Sequence, residues 1–279
     1  MAKSIPRPHR LPGFIRRNIN FTSLRYFLEI AFKGTEYAGW QVQPNGISVQ
    51  QKMDEALSVI LRDQIHCIGC GRTDAGVHAS QFYLHFDTSN DFPENFLHRI
   101  NNFLPADIAV KKLFGVDEKS HARFDARQRA YTYFVSNEKN PFKKEFCFYK
   151  PFYKVDFTIM QEACIILKKY NDFPSFCKSK AGSKTTIVNI NEVYWKQTAE
   201  HEWIFYISAD RFLRGMVRLI AGAMFQLGEG RMRLEEFDEG IKNKKRFTKA
   251  LSAPAHGLFL SSVLYPDTLL QNEIDPQIK

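Results

Sequence analysis

The chain has 279 residues, 44% of them hydrophobic and 25% charged, enough apolar side chain for two cores of ordinary size. No apolar run reaches the ~20 residues of a membrane span; the best, Met216–Phe225, is cut by Arg218. Net charge is +9, but Lys3, Arg7, Arg10, Arg16, Arg17 and Arg25 fall in residues 1–28, which hold no acid, so a polyanion site on the body must be a patch or groove and not the whole surface.

Residues 1–20 read as a flexible basic arm, with Pro6, Pro8 and Pro12 and none of the apolar segment of a secretory signal. Tyr26–Phe32 alternates among β-formers and predicts a strand. Ser48–Leu61 predicts a helix with Val49, Met53, Ala56, Leu57, Ile60 and Leu61 on one face, opened by a Ser48/Gln51 capping box. A strand is expected over "QFYLHFD", a helix over Glu94–Leu104 and a strand over Ile108–Phe114. The second half repeats the theme: "YTYFVSN" predicts a strand, Thr158–Tyr170 a helix, and "VNINEVYW" with "EWIFYISAD" a hairpin. Phe212–Leu227 predicts a long helix, Leu234–Lys242 a shorter one, and "GLFLSSVLY" a last strand. Helices between strands without strict βαβ alternation indicate an α+β fold, in two units that divide near residues 115–125.

Three stretches carry candidate chemistry. In "GRTDAGVHA", Gly71 and Gly76 allow a tight loop that presents Asp74; the same letters also spell an ordinary turn with a capping aspartate. The spacing is not that of a phosphate loop, and no second acid lies within the motif. In the long helix, Arg211, Arg214 and Arg218 follow at i, i+3 and i+7 beside an otherwise apolar surface. A buried arginine needs an anionic partner, and Asp74 is a suitable one. In "HARFDARQRAYTYF", Arg123, Arg127 and Arg129 alternate with Phe124, Tyr131 and Tyr133, a mixture suited to phosphates and unstacked bases as well as to a packed strand. Cys67 and Cys70 have CxxC form, but no second CxxC or paired histidine stands at ligand spacing, so they are expected to be buried hydrophobes and no metal is expected. With Cys147, Cys164 and Cys177 the cysteines number five, which points to a reducing cytoplasm.

An ordered series of motifs resembles the TruA family of tRNA pseudouridine synthases. It spans roughly residues 24–266: "GTEYAGWQVQPNGISVQ", "GRTDAGVHA" with "QFYLHF", "LPADIAV", "HARFDARQRAYTY", "NDFPSF", "FLRGMVRLIAG" and "APAHGLFLSSV". The resemblance implies two ferredoxin-like or RRM-like α/β domains with largely antiparallel sheets flanking a basic central cleft, over residues 21–118 and 119–268, with a tail at 269–279. It implies isomerisation of uridine to pseudouridine at positions 38, 39 and 40 of the tRNA anticodon arm by a cytoplasmic homodimer without cofactor. By motif match, Asp74 is the catalytic aspartate, Arg72 displaces the target nucleotide, and Tyr131 stacks on the uracil. Arg218 pairs with the aspartate, and Leu258 closes the base pocket. Arg214 is a further substrate-binding candidate and His78 is expected to be structural. Lys33, Gly215 and Leu219 depart from the family pattern, and "KSKAGSKTTIVNINEV" lacks an arginine often found there. Attack by Asp74 at C1′, attack at C6, and proton removal at C2′ stay open. The alternatives are an RNA-binding module without catalysis, or a metal enzyme using Cys67 and Cys70.

Overall fold

A computed structural model describes residues 24–151, 155–178, 185–247 and 252–274. The basic arm, residues 1–20, lies outside them. The elements are β1 (Leu24–Phe32), α1 (Val49–Leu61), β2 (Ile68–Gly69), β3 (His78–Thr88), α2 (Phe96–Phe103), β4 (Ile108–Val116), β5 (Gln128–Ser136) and β6 (Phe148–Tyr149). They continue with α3 (Phe157–Leu167), β7 (Ile190–Ala199), β8 (Glu202–Ala209), α4 (Met216–Gly228), α5 (Leu234–Lys242), β9 (Leu258–Leu264) and β10 (Glu273–Ile274).

Local physics explains most boundaries. Ser48 caps α1 by accepting from the Gln51 N–H at 3.2 Å. The expected capping box is only half made, because the Gln51 amide donates to Glu55 instead. Asp156 caps α3 through the Thr158 and Ile159 N–H groups. The largest departure is α4, which begins at Met216 and not at Phe212. Gly215 caps it in the left-handed conformation, and the Met216 N–H closes a turn onto Leu213 O. Arg211 and Arg214 therefore precede the helix, and the arginine stripe along one helical face does not exist.

Strands from both halves join in one ten-stranded sheet, ordered β10-β4-β1-β3-β9-β5-β8-β7, with β2 beside β3 and β6 beside β5. Every ladder is antiparallel except β3–β9 and β5–β6. Two apolar clusters lie under it. Met53, Leu57, Phe96 and Ile100 pack with β1, β3 and β4; Met160, Leu167, Met224 and Phe237 pack with β5, β7 and β8. The sheet's mid-line sets the geometry that matters. The short parallel pairing of His78 with Phe259 and Ala79 with Leu260 brings the start of β3 and the start of β9 to the same end. The "GRTDAGVHA" loop and Leu258 thereby meet.

Candidate active site

The loop before β3 is held from one side by the chain segment after β1. Thr73 O accepts from the Trp40 N–H at 3.4 Å, and the Gly76 N–H donates to Tyr37 O at 3.3 Å. A turn closes within the loop, from the Val77 N–H to Asp74 O at 3.1 Å. Gly76 stands at φ +77° in that turn, where a side chain is strained. Gly39 is the second required glycine: at φ +101°, a Cβ there would lie 2.5 Å from Thr73 O. Gly71 has no such role, since a Cβ there meets nothing within 4 Å.

Asp74 emerges from this loop with its side chain 20% exposed. Arg218 Nη1 lies 3.3 Å from Asp74 Oδ2, the pairing expected from a charged residue in an apolar helix. Arg218 is itself fixed: its Nε donates to Ala253 O at 2.7 Å, and its own carbonyl accepts from the Ala253 N–H. A second cation, Lys178 Nζ, lies 3.2 Å from the same oxygen. Oδ1 makes no hydrogen bond among the described residues.

The carboxylate faces a cleft of about 880 Å³. Seven basic residues line it, Arg72, Arg123, Arg129, Lys178, Arg211, Arg214 and Arg218, against two acids, Asp74 and Asp210. Asp210 is occupied: its carboxylate accepts from the Asn189 and Arg211 N–H groups and from the Asn189 amide. Arg129 is occupied too, donating to the carbonyls of Cys70, Arg123, Ala126 and Asp210. It ties Cys70, at the root of the "GRTDAGVHA" loop, to β5. Arg72 and Arg123 stand exposed at the rim, and the Arg72 guanidinium makes no hydrogen bond or ion pair among the described residues. Partial burial and, to a lesser degree, the neighbouring Arg72, Arg129 and Arg211 charges lower the pKa of Arg123. Arg127 is exposed and not among the lining residues.

Tyr131 and Leu258 supply apolar walls. β9 carries an extra residue, Ser261, where the register shifts between Ala130 and Tyr131. Such a bulge re-aims the neighbouring side chain. Tyr131 lies half-buried with its ring edge-to-face on Phe212 at 5.1 Å, and burial, with Cys70 and Asp74 nearby, pushes its hydroxyl pKa up. Leu258 is 4% exposed. The structure thus brings Arg72, Asp74, Tyr131, Arg214, Arg218 and Leu258 to one cleft. Sequence reasoning missed Lys178, Phe212 and Gly39. The "CK" pair after "NDFPSF" offered one signal, a lysine two residues past the buried Phe176.

The side chains of three residues singled out by sequence take no part in the cleft's polar contacts. His78 is buried; its Nδ1 accepts from the Gly34 N–H at 3.0 Å. Its Nε2 therefore carries the proton toward Glu145 O and His256 O. It pins three segments together. Cys67 and Cys70 are fully buried, and burial raises both thiols, Cys70 to about 11. That is opposite to the depression a ligating or redox thiolate shows. No cluster of three or more His, Cys, Asp or Glu side chains suited to a metal occurs among the described residues.

A cleft crowded with cations around one carboxylate with a free oxygen defines a site for a polyanionic substrate. Comparison with known proteins narrows this class. The family described as tRNA pseudouridine synthase matches residues 168–266. The chain is 43% identical over 249 residues to tRNA pseudouridine synthase A of Porphyromonas gingivalis, covering 88% of this chain and 98% of that one. It is 42% identical over 251 residues to the protein of the same name from Azobacteroides pseudotrichonymphae, covering 89% and 99%. Against that of Bacillus subtilis the identity is 36% over 247 residues, covering 87% and 99%. The chain belongs to the tRNA pseudouridine synthase family.

Proposed function

We propose that this protein isomerises uridine to pseudouridine at positions 38, 39 and 40 of the tRNA anticodon arm, with Asp74 as the catalytic carboxylate. The observation that carries the reading is the asymmetry of Asp74, which lines the cleft: Oδ2 is held by Arg218 and Lys178, while Oδ1 makes no hydrogen bond among the described residues. The reaction breaks C1′–N1, turns the base, and forms C1′–C5. It moves no electrons to an acceptor and adds no atoms, so the chemistry calls for no redox cofactor, metal or nucleotide. It calls for an ionised carboxylate at the ribose and walls that retain the freed base.

A uridine in or beside a stem must leave the stack, at a cost of a few kcal/mol. Arg72, unpaired at the rim, fills the vacated place. Tyr131 receives the base on its ring face and Leu258 closes the pocket over it. Arg214 and Arg123 take flanking phosphates, whose neutralisation relieves the mutual repulsion of the cleft cations. Residues 21–118 and 119–268 act as two units meeting at this cleft; the two apolar clusters follow that division only in part, since Ala122, Ala126, Leu260, Val263 and Tyr265 pack with the first and Val77 with the second. The enzyme works as a cytoplasmic homodimer, for which light scattering at micromolar concentration is the check.

The test is tritium release from tRNA labelled at uracil C5, with and without EDTA. Release that EDTA leaves unchanged is expected. Loss of release in EDTA would favour a metal enzyme, and no release from any tRNA would favour a binding module.

A further inference from the structure

We infer that Lys178 is a positioning residue for the reaction: with Arg218 it clamps Asp74 Oδ2 and thereby aims Oδ1 into the cleft. The inference rests on the reading of Asp74 as the catalytic group.

Three observations carry it. First, Lys178 Nζ and Arg218 Nη1 reach the same oxygen, at 3.2 and 3.3 Å, from different parts of the chain. Rotation about the terminal torsion of an aspartate is soft, so one cation alone leaves the carboxylate plane free to swing. Contacts from two directions remove that freedom. Second, Arg218 cannot follow a swinging carboxylate, because Ala253 O holds its Nε. Lys178 supplies the second contact, which closes the clamp on that fixed point. Third, the lysine has a built seat. Its backbone N–H donates to Arg214 O at 3.1 Å. Its stem crosses Gly215 so closely that a Cβ there would lie 2.7 Å from Lys178 Cε. Gly215, which departs from the family pattern, leaves the room the lysine stem uses.

A phosphate-binding lysine predicts something different. It would contribute to substrate affinity and leave the bound chemistry alone. Kinetics of tritium release separate the two roles, measured on Lys178→Met, Lys178→Gln and Lys178→Arg with thermal melts alongside. Misplacing a reacting group by about 1 Å costs on the order of 10- to 100-fold in rate, so kcat of the Met and Gln variants is expected to fall by that order. KM and tRNA affinity should change by less than about 3-fold, because uniform binding is untouched. Lys178→Arg should recover most of kcat. Wild-type kcat in the Met and Gln variants overturns the inference. So does a raised KM at unchanged kcat, or an Arg variant no better than Met. Using both Met and Gln keeps a folding defect in one from deciding the matter. Absence of release by the unaltered protein defeats the underlying reading, and the inference with it.

Discussion

Asp74 and Asp210 share one cleft, but only Asp74 has an oxygen to spare. Both oxygens of Asp210 are engaged, Oδ1 by the Asn189 and Arg211 N–H groups and Oδ2 by the Asn189 amide. The arginines divide in the same way. Arg129 spends its donors on backbone carbonyls, most of them part-buried, whereas Arg72 makes no such bond among the described residues. Arg129→Ala is therefore expected to cost roughly 2–4 kcal/mol in urea unfolding, because several carbonyls lose their donor at once. Arg72→Ala should leave unfolding within about 0.5 kcal/mol of the parent and still lower turnover on tRNA. A destabilised Arg72→Ala protein would place that side chain in the fold and not in the reaction.

Among the elements, the segment after β1 matters as much as the loop it supports. Gly39 lets Thr73 O approach closely enough for Trp40 to bind it. Gly39→Ala combines a strained φ with a backbone clash and should cost roughly 1–3 kcal/mol. It should also lower kcat, because the displaced atoms are one residue from Asp74; unchanged kcat would detach the loop's position from the chemistry. What sequence made legible at this scale was local. The α1 face follows from side-chain period and survives in the structure, and the strands expected over "QFYLHFD" and "YTYFVSN" form as β3 and β5, although neither alternates strictly between buried and exposed positions. Arg218 was legible for a physical reason, since a charge in an apolar helix demands a partner. The start of α4 was not, because its apolar spacing continues back through Leu213 while Gly215, packed against Lys178, breaks the helix. Lys178 and the β3–β9 pairing were hidden for the same cause: both are contacts between distant parts of the chain, and no local pattern announces them.

On the scale of the whole molecule, buried neutral histidines make the fold acid-sensitive. His85 is buried against Phe27 and accepts from the Ala122 N–H; burial and Arg25 lower its pKa to about 4. His78, His121 and His256 are lowered as well, chiefly by burial. A histidine depressed in the folded state contributes stability above its unfolded pKa, and that contribution is lost as pH falls toward the folded value. The window here runs from about 6.5 down to about 4. Between pH 7 and 5, His85 alone should account for about 2 kcal/mol of lost stability, measured as a drop in the urea midpoint. His85→Gln should flatten that dependence; an unchanged slope would show that His85 is not the group responsible.

In the proposed function, one carboxylate, held at one oxygen and free at the other, carries the reaction. The most direct measurement compares tritium release by the unaltered protein and by Asp74→Asn on the same tRNA. Asparagine keeps the size of the side chain and removes the charge that Arg218 and Lys178 hold. Release is expected from the parent and none from Asp74→Asn, with tRNA binding and the thermal melt retained. An Asp74→Asn protein that still releases tritium would remove Asp74 from the chemistry.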